Sequence, residues 1–122
     1  MLNAFIVDDA LVIRKNLTRF FTNLGHTVIG EAKNGIEAIE KIPTIEKIDL
    51  ITMDVTMPEM DGIEATKKIK EINPDACIIM ITSHGQEELV AEALKAGAKS
   101  FVLKPITEEK LAETITKIFP DN

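Results

Sequence analysis

The sequence predicts an α/β domain, with five short strands alternating with five helices and a parallel sheet covered by helices on both faces. Three observations predict it. Short apolar runs alternate along the chain with stretches of helical periodicity. One run, Ala76 to Ile81, is almost unbroken, which suits a strand buried on both sides of a parallel sheet. The runs also stop on polar residues (Asp8-Asp9, Asp54, Thr82 and Lys104), and the carboxyl ends of parallel strands share one edge, where ligands bind in open α/β sheets.

Each element has a local reason. Residues 2–7 read as the first strand, ended by Asp8-Asp9. From about Ala10 to Leu24 the residues Leu11, Leu17, Phe20, Phe21 and Leu24 recur mostly at helical spacings, and Gly25 is a suitable C-cap. Thr27 to Gly30 read as the second strand. Asn34 and Glu37 form a capping pair for the next helix, with Ile36, Ala38, Ile39 and Ile42 on its buried side. Pro43 should end it, with Thr44 to Lys47 a loop or one weak extra turn. Asp49 to Met53 form the third strand, which runs into Asp54. Asp61 and Glu64 cap a helix from Gly62 to about Ile72, closed by Asn73-Pro74. Ala76 to Ile81 form the fourth strand. Gln86 to Ala96 are helical, with Leu89, Val90, Ala93 and Leu94 inward and Gly97 closing the end. Ser100 to Leu103 form the fifth strand. The last helix starts at Thr107, is lined by Leu111, Ile115 and Ile118, and is stopped by Pro120.

Composition narrows the function. A chain of 122 residues is expected to be one domain spanning 1–122. Hydrophobic content of 45% and charged content of 28% are ordinary for a globular protein. The 14 basic and 20 acidic residues give a net charge of −6, which argues against nucleic acid as a partner. No stretch reads as a signal peptide or reaches membrane-spanning length. The single cysteine, Cys77, lies in an apolar run and reads as packing. A reducing, cytoplasmic setting is the expectation.

Asp54 is the candidate working residue, because burying a carboxylate at a strand end is costly unless it is paired or bound to a cation. Taken singly, an aspartate after a strand is most often a turn or cap residue, and Asp9 could cap the first helix. A lone threonine there is usually a cap, and a lone lysine before proline is usually just solvated. Their conjunction on one edge favours a site. Clustered carboxylates repel unless a cation intervenes, and a hard ion such as Mg²⁺ takes oxygen ligands. Lys104 adds fixed positive charge and Thr82 a hydroxyl. Such a set would stabilise the charge of a transferring phosphoryl group, with Asp54 as nucleophile, metal ligand or both. His26 and His84 have no spacing that makes a metal or nucleophile pair. Met53, Met57, Met60 and Met80 read as packing.

The ordered motifs are Val7-Asp8-Asp9, Met53-Asp54 with Met57-Pro58-Glu59-Met60-Asp61-Gly62, Ile81-Thr82-Ser83, Ala96-Gly97-Ala98 and Phe101-Val102-Leu103-Lys104-Pro105. Together they resemble the receiver domain of two-component response regulators over essentially the whole chain, and its single-domain chemotaxis members most of all. The resemblance implies a flavodoxin-like (βα)5 doubly wound five-stranded parallel sheet with strand order 2-1-3-4-5. It implies that Asp54 accepts a phosphoryl group from a phosphohistidine on a sensor histidine kinase. Asp8 and Asp9 would hold Mg²⁺, with Asp54 and the backbone carbonyl of Thr56. Lys104 would contact the phosphoryl oxygens, and Lys104-Pro105 would be a cis peptide. Thr82 would move toward the phosphoryl group and Phe101 would turn inward behind it, changing the surface that partners read. A downstream target is implied, with the flagellar motor switch a candidate, and a phosphatase is a further candidate partner. A monomer, with no nucleic-acid or membrane partner, is expected.

Three places depart from the family's usual pattern. Ser83 stands where alanine is usual, and Phe101 replaces a tyrosine often found in chemotaxis members. Thr56 and His84 occupy positions that tune hydrolysis of the acyl phosphate in this family. The chain is expected to catalyse only its own phosphotransfer and dephosphorylation. The competing readings are a stand-alone relay protein outside motility, a Mg²⁺-dependent aspartyl phosphohydrolase and a flavodoxin-like mononucleotide binder. The last two fit poorly. The hydrolase would want its nucleophile on the first strand with a second acid two residues on, where Thr56 follows Asp54 here. The nucleotide binder would want a Thr/Ser/Gly-rich loop after the first strand, where Asp8-Asp9-Ala10 stands.

Overall fold

The strands β1 (Asn3–Val7), β2 (Thr27–Ala32), β3 (Leu50–Asp54), β4 (Ile78–Thr82) and β5 (Ser100–Leu103) alternate with the helices α1 (Leu11–Asn23), α2 (Gly35–Lys41), α3 (Gly62–Ile72), α4 (Glu87–Ala96) and α5 (Glu108–Ile118). The computed structural model describes residues 1–83, 85 and 87–121; His84, expected to tune hydrolysis, and Gln86, expected to open the fourth helix, lie outside the described residues. All strand pairs are parallel and the order is 2-1-3-4-5, as expected.

Side chains alternate across the sheet, so each face carries its own core. Phe5, Val7, Ile51, Met53, Ile78 and Met80 pack with Ala38, Ala65, Ile69 and Ala93 under α2, α3 and α4. Ala4, Ile6, Leu50, Ile79 and Ile81 pack with Leu17, Phe21, Leu111 and Ile115 under α1 and α5. This double coverage explains why β3 and β4 read as continuous apolar runs. No helix among the described residues is long and apolar enough to cross a membrane.

The caps follow the expected chemistry. The Asn34 side chain accepts from the Glu37 N–H at 2.7 Å, Asp61 from the Glu64 N–H at 2.9 Å, and Thr107 from the Lys110 N–H at 3.1 Å. Gly25 and Gly97 close α1 and α4 with φ of +88° and +114°, where a side chain would be strained.

Several boundaries differ from the sequence reading. β2 continues through Glu31 and Ala32, because the ladder to Ile6 and Val7 outlasts the apolar pattern on this edge strand. β3 is displaced by one residue: the Asp49 carboxylate accepts from the Asn3 N–H at 2.7 Å, before β3 begins, and Asp54 lies inside the strand. β4 starts at Ile78 and includes Thr82. α2 stops at Lys41, and Pro43 sits in a 3-10 turn, Ile42–Thr44, slightly before the extra turn expected. Ile36 and Leu94, expected to face inward, are 41% and 49% exposed, and Leu11, one of the apolar residues at helical spacing, is 53% exposed at the start of α1.

Candidate functional site

Four strand ends meet at the carboxyl edge. β3 is buried along its whole length and carries Asp54 to that edge at 6% exposure. β1 ends at Val7, leaving Asp8 buried and Asp9 exposed. Asp8, Asp9 and Asp54 each offer a carboxylate oxygen within 4.8 Å of the others. Lys104 follows β5, and its Nζ lies 2.9 Å from Asp8 Oδ2 and 3.4 Å from Asp54 Oδ1. Its backbone N–H donates to the Thr82 carbonyl at 2.8 Å, and Lys104-Pro105 is cis. Thr82 is fully buried at the end of β4. Thus the sheet brings Asp8, Asp9, Asp54, Lys104 and Thr82 to one edge.

The electrostatics match a cation site. Burial, then the charge of Asp8, pushes the Asp54 carboxyl from 3.8 up to about 6, against the pull of Lys104. Burial alone would lower Lys104, but its hydrogen bond to Asp8 and the charges of Asp54 and Asp8 hold it above its ordinary value. Three carboxylates against one ammonium leave an excess of negative charge. The donor set is oxygen alone, which fits a hard divalent ion such as Mg²⁺ better than a metal that prefers nitrogen or sulfur.

Other expected residues sit as follows. Thr56 is exposed just beyond β3. Phe101 is half-buried, pairs with Met80 in the β4–β5 ladder and packs on the α2–α4 side of the sheet. Asp9 does not cap α1. The N-cap is Ala10, with no side-chain cap, and Asp8 Oδ1 accepts the Ala10 N–H at 2.9 Å. His26 is structural: its Nδ1 accepts the Leu2 N–H at 3.1 Å, at the opposite end of β1. Cys77 is half-buried, and burial raises its thiol above the ordinary range, as suits a packing residue.

Two positioning residues escaped the sequence reading. Arg14 donates to the Asp8 carbonyl at 2.7 Å and pairs with Glu31 at 2.8 Å, fixing the backbone that presents Asp8 and Asp9. Its only sequence signal was a cation one helical turn after Ala10. Gly62 reads in the sequence only as the first residue of a helix. Its N–H donates to the Val55 carbonyl at 2.7 Å, and a Cβ there would overlap the carbonyl oxygen of Asp54. The loop after the working aspartate therefore folds directly back against that residue's backbone.

Comparison with known proteins agrees with this geometry. The model of the response regulator receiver domain matches residues 4–116. The chemotaxis protein CheY of Thermotoga maritima is 48% identical over 113 residues, covering 93% of each chain. CheY of Bacillus subtilis is 46% identical over 112 residues, covering 92% of each. A CheX–CheY–BeF3–Mg²⁺ complex from Borrelia burgdorferi contains a chain matching with a TM-score of 0.93 at 39% identity, over 97% of this chain and 89% of that one. Matched over nearly its full length by the family and by relatives close to half identical, and carrying the acidic edge on a 2-1-3-4-5 sheet, the chain belongs to the receiver domains of two-component response regulators.

Proposed function

We propose that the protein is a phosphoacceptor switch whose working residue is Asp54. The observation that carries this reading is a buried carboxylate at a strand end, beside Asp8 and Asp9 and within 3.4 Å of the Lys104 ammonium. In the transfer, an Asp54 carboxylate oxygen attacks the phosphorus of a phosphohistidine on a sensor kinase. A P–O bond forms as the P–N bond breaks, and the imidazole keeps the electron pair and takes a proton. Asp8, Asp9 and Asp54, with the backbone carbonyl of Thr56, would hold Mg²⁺, which would supply charge to offset that of the phosphoryl oxygens. Lys104 is placed to shift its contact from Asp8 to those oxygens. Thr82 and Phe101 carry the change to the surface, a local charge event biasing a two-state element. The chain turns over no other substrate. Similarity to the CheY proteins supports a role in chemotaxis, with the flagellar motor switch as target. The Borrelia CheY is complexed with CheX, which supports a partner of that kind, and a phosphatase would end the signal.

Intact-mass measurement after incubation with acetyl phosphate tests the chemistry. One phosphoryl adduct should form with Mg²⁺, and none without Mg²⁺ or in Asp54→Asn. An adduct that persists in Asp54→Asn at the wild-type rate would refute the assignment. For the role, deletion of the gene should alter tumbling or reversal and leave growth unchanged; normal swimming would remove chemotaxis and leave the relay reading.

A further inference from the structure

The two aspartates that follow β1 are held unequally. Asp8 is tied at several points: its N–H donates to the Ala32 carbonyl at 3.1 Å, its Oδ1 accepts the Ala10 N–H at 2.9 Å, and its Oδ2 accepts from Lys104 at 2.9 Å. Asp9 is exposed, and its carboxylate has no hydrogen bond or ion pair among the described residues. Its place depends on the peptide that joins it to Asp8. A peptide unit is planar, so the direction of the Asp8 carbonyl sets where the N and Cα of Asp9 lie. Arg14 grips that carbonyl: its Nη1 donates to it at 2.7 Å while its Nε donates to Glu31 Oε1 at 2.8 Å. The donors of a guanidinium are fixed in one plane, so anchoring Nε aims Nη1. Glu31 is itself held, paired with Ile6 in the ladder and with its carbonyl accepting from Lys41 of α2 at 3.0 Å.

Arg14 suits neither its helix nor the charge of the site. α2, α3, α4 and α5 each carry an acid in the first turn, as the helix dipole favours, whereas α1 carries none and has Arg14 one turn after Ala10. A cation beside an acidic cluster also opposes the entry of a metal ion. A residue that breaks local rules next to a site is explained by a task at that site, and the task on view is the aim of the Asp8-Asp9 peptide. We propose that Arg14 and Glu31 are a positioning pair for the metal site. Glu31 aims the guanidinium, the guanidinium holds the Asp8 carbonyl, and the carbonyl keeps the Asp9 carboxylate within reach of an ion shared with Asp8 and Asp54. The inference rests on the acidic cluster holding Mg²⁺, as in the function proposed above.

Calorimetric titration with Mg²⁺ tests this on wild type, Arg14→Met, Glu31→Leu and Glu31→Gln, with urea unfolding in chelator as the check on folding. Electrostatics alone predicts tighter binding in Arg14→Met, which removes a cation and leaves Glu31 unpaired. Positioning predicts the opposite, a dissociation constant raised by about tenfold, the usual scale for losing a residue that orients a metal ligand. Glu31→Leu and Glu31→Gln remove the same charge, but only glutamine keeps an acceptor for Nε. Glu31→Leu should therefore bind Mg²⁺ more weakly than Glu31→Gln. The Glu31 side chain is 46% exposed, so both variants should fold, and they decide the matter if Arg14→Met does not. With acetyl phosphate, Arg14→Met should need more Mg²⁺ for half-maximal adduct formation and reach the wild-type rate at saturation, since Asp54 and Lys104 are untouched. Unchanged or tighter Mg²⁺ binding in Arg14→Met, or equal affinities in the two Glu31 variants, overturns the inference, as does wild type that binds no Mg²⁺. Wild type that binds Mg²⁺ and forms no adduct would count against the phosphoacceptor reading alone, and the calorimetric comparison would still decide this one.

Discussion

Replacing Asp54 by asparagine should stabilise the metal-free protein. The Asp54 carboxyl is raised from 3.8 to about 6 by burial and by Asp8. A group whose folded-state value is raised contributes stability that is fully present below its unfolded value and lost as pH rises through the folded one. For Asp54 the loss runs from 3.8 through about 6. Above that window the ionised carboxylate costs the fold up to about 3 kcal/mol, at about 1.4 kcal/mol for each pH unit of the rise. Asparagine has nearly the same shape and no charge, but it gives up the 3.4 Å contact with Lys104. The expected gain is therefore about 1 to 3 kcal/mol at about pH 7.5. Urea unfolding in chelator is the assay. The gain should shrink to roughly a third at about pH 4.5, where the wild-type carboxyl is protonated in the folded state. Excess Mg²⁺ should reverse the order, because a cation bound to the folded wild type stabilises it by mass action. A variant that is less stable than wild type in chelator, or a gain that does not change with pH, would refute the reasoning.

Lys104→Ala leaves Asp8 and Asp54 facing each other without their ammonium; it should cost about 2 to 4 kcal/mol and slow adduct formation at least tenfold, read by urea unfolding and intact mass. Gly62→Ala drives a methyl group into the Asp54 carbonyl and should cost about 2 to 4 kcal/mol by urea unfolding, with loss of phosphorylation, whereas Gly25→Ala, which meets no neighbour, should cost about 1 kcal/mol from its φ of +88° and leave phosphorylation intact. His26 is held below its ordinary value by burial and by the N-terminal amine, so its stability contribution is present above 6.5 and lost as pH falls through the folded value. Unfolding midpoints of wild type should therefore fall on mild acidification below that value, and His26→Asn should flatten that slope.

Where one residue type carries both local and long-range meaning, the sequence was readable. Asp54 and Lys104 could be placed because they end apolar runs, and parallel strands bring those ends together whatever the loops do. The capping residues Asn34 and Asp61 were legible because a cap is satisfied within its own turn. Residues that act across the fold were not. Arg14 holds the Asp8 carbonyl through a contact that depends on how α1 packs on β1. Gly62 matters because a loop returns against Asp54, and a glycine that opens a helix does not name its neighbour across the fold. The same limit explains Glu31 and Ala32, whose strand pairing comes from β1, not from their own pattern. Leu11, Ile36 and Leu94 show that apolar periodicity locates a stripe but not its edge. Asp9 was a plausible cap by type, yet the N–H at that end, from Ala10, is taken by Asp8.

The most direct test of the central claim is to locate the phosphoryl group. Borohydride reduces an aspartyl phosphate to homoserine, which peptide mass spectrometry assigns to one position. After treatment with acetyl phosphate and Mg²⁺, homoserine is expected at position 54, and at no position when Mg²⁺ is chelated. Homoserine at position 8 or 9 in place of 54, or an equal yield without Mg²⁺, would contradict the account.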